Sequence, residues 1–180
     1  MLQDIRMVFD AAQGCFDLAL AGDAQGNQDM QDDPGLFTAV VISLFTDARA
    51  HDDDILPDDW PGQPESAKDR RGWWGDGLMA DADASGPLGS RLWLLWREKD
   101  LPAVVARARQ YAQEALQWLE ALGYAVTVEA SALRVEERHI GIDVSVAQAG
   151  QDVPGRNWHI VYDYANARPE SVTLGIAEAV

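Results

Sequence analysis

Cysteine is almost missing from this 180-residue chain. Cys15 stands alone, so no disulfide can close within it. The fold must hold through its apolar core, and a single thiol fits a reducing compartment. Cys15 itself reads as a small apolar side chain in a strand. No apolar run approaches the ~20 residues that span a bilayer. Met1-Leu2-Gln3-Asp4 places no basic stretch ahead of an apolar one, so neither a membrane partner nor a signal peptide is expected. Positive charge is scarce as well: 14 Lys and Arg face 30 Asp and Glu, a formal charge of −16. The imbalance is concentrated in residues 1–66, where 14 acidic side chains meet 2 basic ones. Such a surface repels phosphate, so no nucleic-acid partner is expected. It also keeps free copies apart until a specific contact overcomes the repulsion.

Catalytic signatures are missing too. There is no Gly-x-Ser-x-Gly elbow, no P-loop and no Gly-x-Gly-x-x-Gly. His51-Asp52-Asp53-Asp54 has metal-ligand chemistry, but consecutive residues converge on one ion only in a sharply folded loop. The alternating aspartates of a calcium loop are also lacking. The segment reads as a solvated acidic loop, and no metal is expected. His139 and His159 fall on expected strands with no second ligand beside them in sequence. A glycoside hydrolase needs two carboxylates across a cleft, and among thirty acidic residues chance pairs are certain. No catalytic residue and no cofactor is assigned.

What is present is pattern. Ile5, Met7 and Phe9 alternate, as do Phe16, Leu18 and Leu20, with Ala11-Ala12-Gln13-Gly14 between them, so a β-hairpin is expected. Residues 23–33 read as a loop. Leu36, Val40, Leu44 and Ala48 recur four apart beside Phe37, Val41 and Phe45. With Asp33 as cap and Pro34 in the first turn, this predicts a helix over 34–48. Ile42 lies off both rows, which suggests cover on more than one side. Residues 49–69 form a long acidic loop. Ser90 to Arg97 is apolar around most of its circumference and reads as a short buried helix.

A long helix follows, capped by Asp100, carrying Leu101, Val105, Ala108, Ala112, Ala115, Leu119 and Leu122 on one stripe and ended by Gly123. Arg107, Arg109, Gln113 and Glu120 lie off that stripe and should be solvated. Alternation from Val126 and Val128, along Ile140 to Val146, and along Trp158 to Tyr164 predicts three strands. The fold class is therefore α+β: an N-terminal β-hairpin, two or three helices, and an antiparallel three-stranded meander packed on the long helix. Residues 1–164 make a single domain, and 165–180 read as a C-terminal arm.

Five of the seven tryptophans crowd into 37 residues: Trp60, Trp73, Trp74, Trp93 and Trp96. Adjacent side chains diverge in any regular conformation, so Trp73 and Trp74 cannot both enter one core. Arg70 and Arg71 precede them, and glycines flank the pair. Exposed Trp and Arg dominate protein–protein hot spots, so this is read as an interface, with an internal aromatic knot as the alternative. The interface residues assigned are Arg70, Arg71, Trp73, Trp74, Asp76, Arg91, Trp93 and Trp96. Trp158, Ile160 and Tyr162 join them on the strand expected to offer an unpaired edge.

Three stretches together resemble the Mu-like phage baseplate wedge family. They are Arg70-Arg71-Gly72-Trp73-Trp74-Gly75-Asp76, Gly89-Ser90-Arg91-Leu92-Trp93-Leu94-Leu95, and Ala115-Leu116-Gln117-Trp118-Leu119. Phe16-Asp17-Leu18 and Ile42-Ser43-Leu44-Phe45-Thr46-Asp47 are similar to that family as well, so the resemblance spans about residues 5–148. It implies a non-enzymatic virion subunit of a contractile tail, related to the short T-even wedge subunit once labelled lysozyme-like. Implied partners are a larger baseplate wedge protein, the sheath protein and tube-initiator or hub proteins, in sixfold copies assembled in the host cytoplasm. In the wider group the subunit copies the end domain of a sheath protein and joins the first sheath ring by strand exchange. The old label leaves a peptidoglycan hydrolase as the alternative. One feature departs from the wider group: the Glu-Pro-Arg expected after the long helix is replaced by Leu119-Glu120-Ala121-Leu122-Gly123.

Overall fold

The computed structural model describes residues 4–22, 26, 28–33, 36–79, 87–99, 102–147 and 156–176. The N-terminal segment is built from β1 (Asp4–Ile5), β2 (Met7–Asp10), β3 (Cys15–Leu18), β4 (Leu20–Gly22), β5 (Gln28–Met30) and β6 (Asp32–Asp33). They pair as three short antiparallel ribbons, β1 with β6, β2 with β3 and β4 with β5. Where the ribbons meet, backbone bonds close a triangle. Arg6 N–H donates to Gln31, Gln31 N–H to Ala19 and Ala19 N–H to Arg6, at 2.7–2.9 Å.

The expected β2–β3 hairpin is present, with Met7 opposite Leu18 and Phe9 opposite Phe16. Residues 28–33, expected as loop, instead supply two strands. The reason lies in non-local backbone pairing, Leu20 with Met30 and Ile5 with Asp32, which polar side chains do not advertise.

The first helix, α1 (Phe37–Phe45), is shorter than periodicity suggested. Asp33 is committed to β6 opposite Asp4, so it cannot cap the helix. The capping position falls to Leu36, buried and in the left-handed conformation at φ 60°. At the other end Asp47 leaves to form a parallel bridge with Ser90. Ser90 N–H donates to Thr46 and its carbonyl accepts Ala48 N–H. Val40, Val41 and Leu44 are buried as the rows required, but Ile42 is 38% exposed and has no second cover. Thr38 ties α1 to the ribbons, its hydroxyl donating to the Ile5 carbonyl and accepting Met7 N–H.

Beyond the long loop lie a one-turn helix, α2 (Asp76–Met79), and a 3-10 turn at Leu92–Leu95 whose four side chains are all buried. The long helix α3 (Pro102–Ala121) buries Val104, Ala108, Tyr111, Ala112, Ala115, Leu116 and Leu119. Gly123 at φ 74° follows it, in the conformation a helix C-terminus favours. The expected cap Asp100, and Leu101, lie outside the described residues.

The C-terminal sheet has four strands rather than three: β7 (Thr127–Glu136), β8 (His139–Ala147), β9 (Arg156–Asp163) and β10 (Arg168–Ile176). They run antiparallel in the order β10-β9-β8-β7. Residues 168–176 are therefore sheet, not arm. Their alternation is blurred by Pro169 and Glu170, where the register shifts at a bulge. With β10 paired to one side of β9 and β8 to the other, residues 158–164 do not form an edge.

The sheet's inner face carries Val128, Ala130, Ile140, Ile142, Val144, Trp158, Ile160 and Tyr162 against α3 and α1, in one continuous core. Gln113 and Glu120, expected to be solvated, work at the edge of β7. Gln113 donates to the Val128 carbonyl and accepts Ala130 N–H, and Glu120 accepts Val128 N–H.

Gly89 sits at φ 109°, and a Cβ there would lie 2.3 Å from the Thr46 carbonyl oxygen. Neither strain can relax without breaking the Thr46–Ser90–Ala48 ladder. Gly89→Ala should lower unfolding free energy by about 2 kcal/mol or more, read by urea denaturation.

Candidate interaction surface

Three of the sequence stretches singled out above converge on α1, which runs through a fourth. Phe16 stacks on Phe45 at 5.7 Å and meets Phe37 edge-on at 6.3 Å. Trp118 donates its indole N–H to the Ser43 hydroxyl at 2.9 Å. Ser90 reaches the Leu44 carbonyl with its own hydroxyl. Segments far apart in sequence thus share one helix as their anchor.

Arg91 is the charged centre of this arrangement. Its side chain is 9% exposed and lies over Tyr111 at 4.6 Å. One guanidinium nitrogen donates to both Asp54 oxygens at 2.9 Å, and the other donates to Glu114 on α3. Gln110 donates to the remaining Glu114 oxygen. Burial opposes the guanidinium's charge, but the hydrogen bonds to Glu114 and Asp54 outweigh it and hold its pKa above the ordinary value. Asp54 therefore leaves the solvated acidic loop expected of residues 51–54 and turns inward, pinning residues 49–69 to the helix.

Around that centre the predicted interface residues separate into two groups. Trp93 is 3% exposed, its indole N–H given to the Ala48 carbonyl at 2.8 Å, and Arg71 lies over its ring at 4.8 Å. Arg71 is also paired with Asp47. Trp158, Ile160 and Tyr162 are all buried in the core. Trp93, Trp158, Ile160 and Tyr162 thus hold the platform and present no side chain to a partner, whereas Arg71 stays partly exposed.

Trp73 is half-buried, its ring lying so close over Gly75 that a Cβ there would sit 2.2 Å from it. Trp74 is 80% exposed, its ring packed against that of Trp73 with centroids 5.3 Å apart. Asp76 fixes the turn by accepting Trp73 N–H and Leu88 N–H. Arg70 donates to the His51 carbonyl. Trp96 is half-buried under Arg97, which stacks 4.2 Å above it. Trp60 and Ile55, which sequence reasoning did not assign to the surface, are 57% and 84% exposed on the loop that Arg91 pins down. The sparse apolar pattern of residues 49–69 was the available sign, since an apolar residue in a polar loop has little core to enter.

A shallow cleft beside the turn is lined by Arg49, Lys68, Arg70 and Arg71 together with Asp52, Glu65 and Asp69. In a chain of charge −16, four cations beside three carboxylates make this cleft richer in positive charge than the chain as a whole. A braced turn, an exposed indole and a cleft of mixed charge suit protein recognition.

The family model described as phage protein GP46 matches residues 36–153. The chain belongs to this family. It is 49% identical over 118 residues to the baseplate protein gp46 of Escherichia phage Mu, covering 66% of this chain and 71% of that protein. It is 33% identical over 128 residues to the Mu-like prophage FluMu protein gp46 of Haemophilus influenzae, covering 71% and 74%. The resemblance to Mu-like baseplate proteins read from the tryptophan motifs is thus shown. The span matching the GP46 family holds α1, the pinned loop, the tryptophan turn, α3, β7 and β8. The N-terminal ribbons, β9 and β10 lie outside it.

Removing Arg91 strands Asp54 and Glu114, so Arg91→Met should cost about 3 kcal/mol. Adding Asp54→Asn should recover part of that, a non-additivity visible in a double-mutant cycle of urea unfolding. Tyr162 gives a second test. Burial, reinforced by the charge of Asp47, raises its phenol pKa well above the ordinary value. A raised native pKa contributes stability that is complete below the unfolded value near ~10 and is lost as pH climbs past it. The unfolding free energy should fall on going above about pH 10, and Tyr162→Phe should flatten that slope.

Proposed function

We propose that this protein is a non-enzymatic structural subunit of a contractile phage tail baseplate, located in the virion tail. The exposed Trp74 on its Arg70–Asp76 turn is the contact to a larger wedge component. The family match and the similarity to a named baseplate protein support the structural role. The single observation that carries the contact is Trp74 itself. An indole 80% exposed, its ring packed on that of Trp73, which is itself seated over Gly75 and tied through its N–H to Asp76, is a prepaid hot-spot side chain. Arg70 and the neighbouring charged cleft give it a polar rim.

Strand addition from a sheath or neighbouring subunit is the second contact in this proposal, moved to a different strand. β9 is interior, and Gln113 and Glu120 already occupy outward backbone groups of β7. Among the described residues no backbone bond reaches the outer side of β10, so Arg168–Ile176 is the edge to which an extended arm adds. Copies arranged sixfold, touching tube-initiator or hub proteins, complete the picture taken from the Mu-like wedge resemblance. The hydrolase alternative requires two carboxylates facing a cleft. Two that this fold draws together beside the loop, Asp54 and Glu114, both clamp Arg91 instead.

Trp74→Ala should leave the unfolding midpoint within about 0.5 kcal/mol of wild type, since the ring packs on little. It should weaken capture of co-expressed wedge protein by about 30-fold, the scale of a 2 kcal/mol hot spot. Equal capture by the folded variant would remove Trp74 from the interface.

A further inference from the structure

His139 was read from sequence as a strand histidine without a second ligand. The fold supplies two. Glu136 lies across the β7–β8 hairpin from it, and Glu170 arrives from β10, two strands away in the sheet. Both approaches depend on register shifts, between Arg134 and Glu136 on β7 and between Pro169 and Ser171 on β10. Bulges re-aim side chains, and here two of them aim carboxylates at one imidazole. A donor atom from each of Glu136, His139 and Glu170 lies within 4.8 Å of the others.

The hydrogen bonding fixes what the imidazole offers. His139 Nδ1 lies 2.8 Å from the Glu137 carbonyl oxygen, which only accepts, so Nδ1 carries the hydrogen. Nε2 then faces Glu170 Oε2 at 3.0 Å, and Glu136 adds a second carboxylate 3.7 Å from Nδ1. An imidazole whose Nδ1–H is held by a backbone carbonyl is the usual form of a metal-ligating histidine.

The geometry points to a divalent-cation site formed by Glu136, His139 and Glu170, of the class that takes zinc. One nitrogen and two carboxylate donors match zinc's preferences and leave a fourth position for water or a partner's side chain. Placed at the end of the sheet, the ion ties the β7–β8 hairpin to the start of β10 and so fixes the strand whose outer edge is open. The site stands independently of any baseplate contact.

Calorimetric titration of the full chain with zinc chloride, in a non-chelating buffer near neutral pH, tests it. The expected result is one equivalent bound with micromolar affinity and a zinc-dependent rise in melting temperature. His139→Ala abolishes both. Glu170→Gln, an isosteric change at an exposed side chain that leaves folding intact, weakens binding by at least about tenfold. His159→Ala, on the same outward sheet face but paired with Asp143 away from the site, binds as wild type does. No uptake at millimolar zinc, or equal uptake by wild type, His139→Ala and Glu170→Gln, would overturn the proposal and leave the corner as a protonated ion pair.

Discussion

The buried guanidinium of Arg91 is the interaction on which the rest of the surface depends. A charge 9% exposed survives only when its hydrogen bonds are met, and here Asp54 and Glu114 meet them from opposite sides. One partner sits in a long acidic loop and the other on the longest helix, so meeting the charge also fixes the loop. Without that clamp, residues 49–69 have only scattered contacts to the body, such as the buried Leu56 and the Ala50–Arg70 backbone bond. With it, the loop becomes a wall against which Arg70, Arg71 and the tryptophan turn are set.

Rigidity is what makes an exposed aromatic useful. A freely rotating indole loses conformational entropy on docking, whereas a fixed one has already lost it. The pair at Trp73 and Trp74 achieves this with neighbouring residues of opposite fate. Trp73 packs over Gly75, where no other residue leaves room, and its backbone N–H is held by Asp76. Trp74 is then carried outward by the same turn. The acidic remainder of the chain keeps it from sticking to copies of itself, so the apolar contact forms only where a complementary surface overcomes the repulsion.

The sequence made the helices and inner strands legible because their apolar periods are strong, as along Ala108, Ala112, Ala115 and Leu119 and along Ile140, Ile142, Val144 and Val146. It concealed β10, because Pro169 and Glu170 introduce a bulge that interrupts alternation. It concealed β5 and β6, whose residues apart from Met30 are polar and whose order comes from backbone pairing. The tryptophan cluster was visible as composition, but which rings point outward was not. Trp93 is drawn in by a hydrogen bond to Ala48, forty-five residues earlier, and Trp158 by its place on a strand that proved to be interior. Long-range partners decided each of these, as they did for the inward turn of Asp54.

The account rests on a rigid tryptophan turn and the outer edge of β10 being covered in the assembled tail while the edge of β7 is not. Hydrogen–deuterium exchange compared between the free protein and intact tails measures this directly. Slowed exchange in residues 70–76 and 168–176, with β7 amides unchanged, is the predicted result. Unchanged exchange in both segments, or new protection confined to β7, would contradict it.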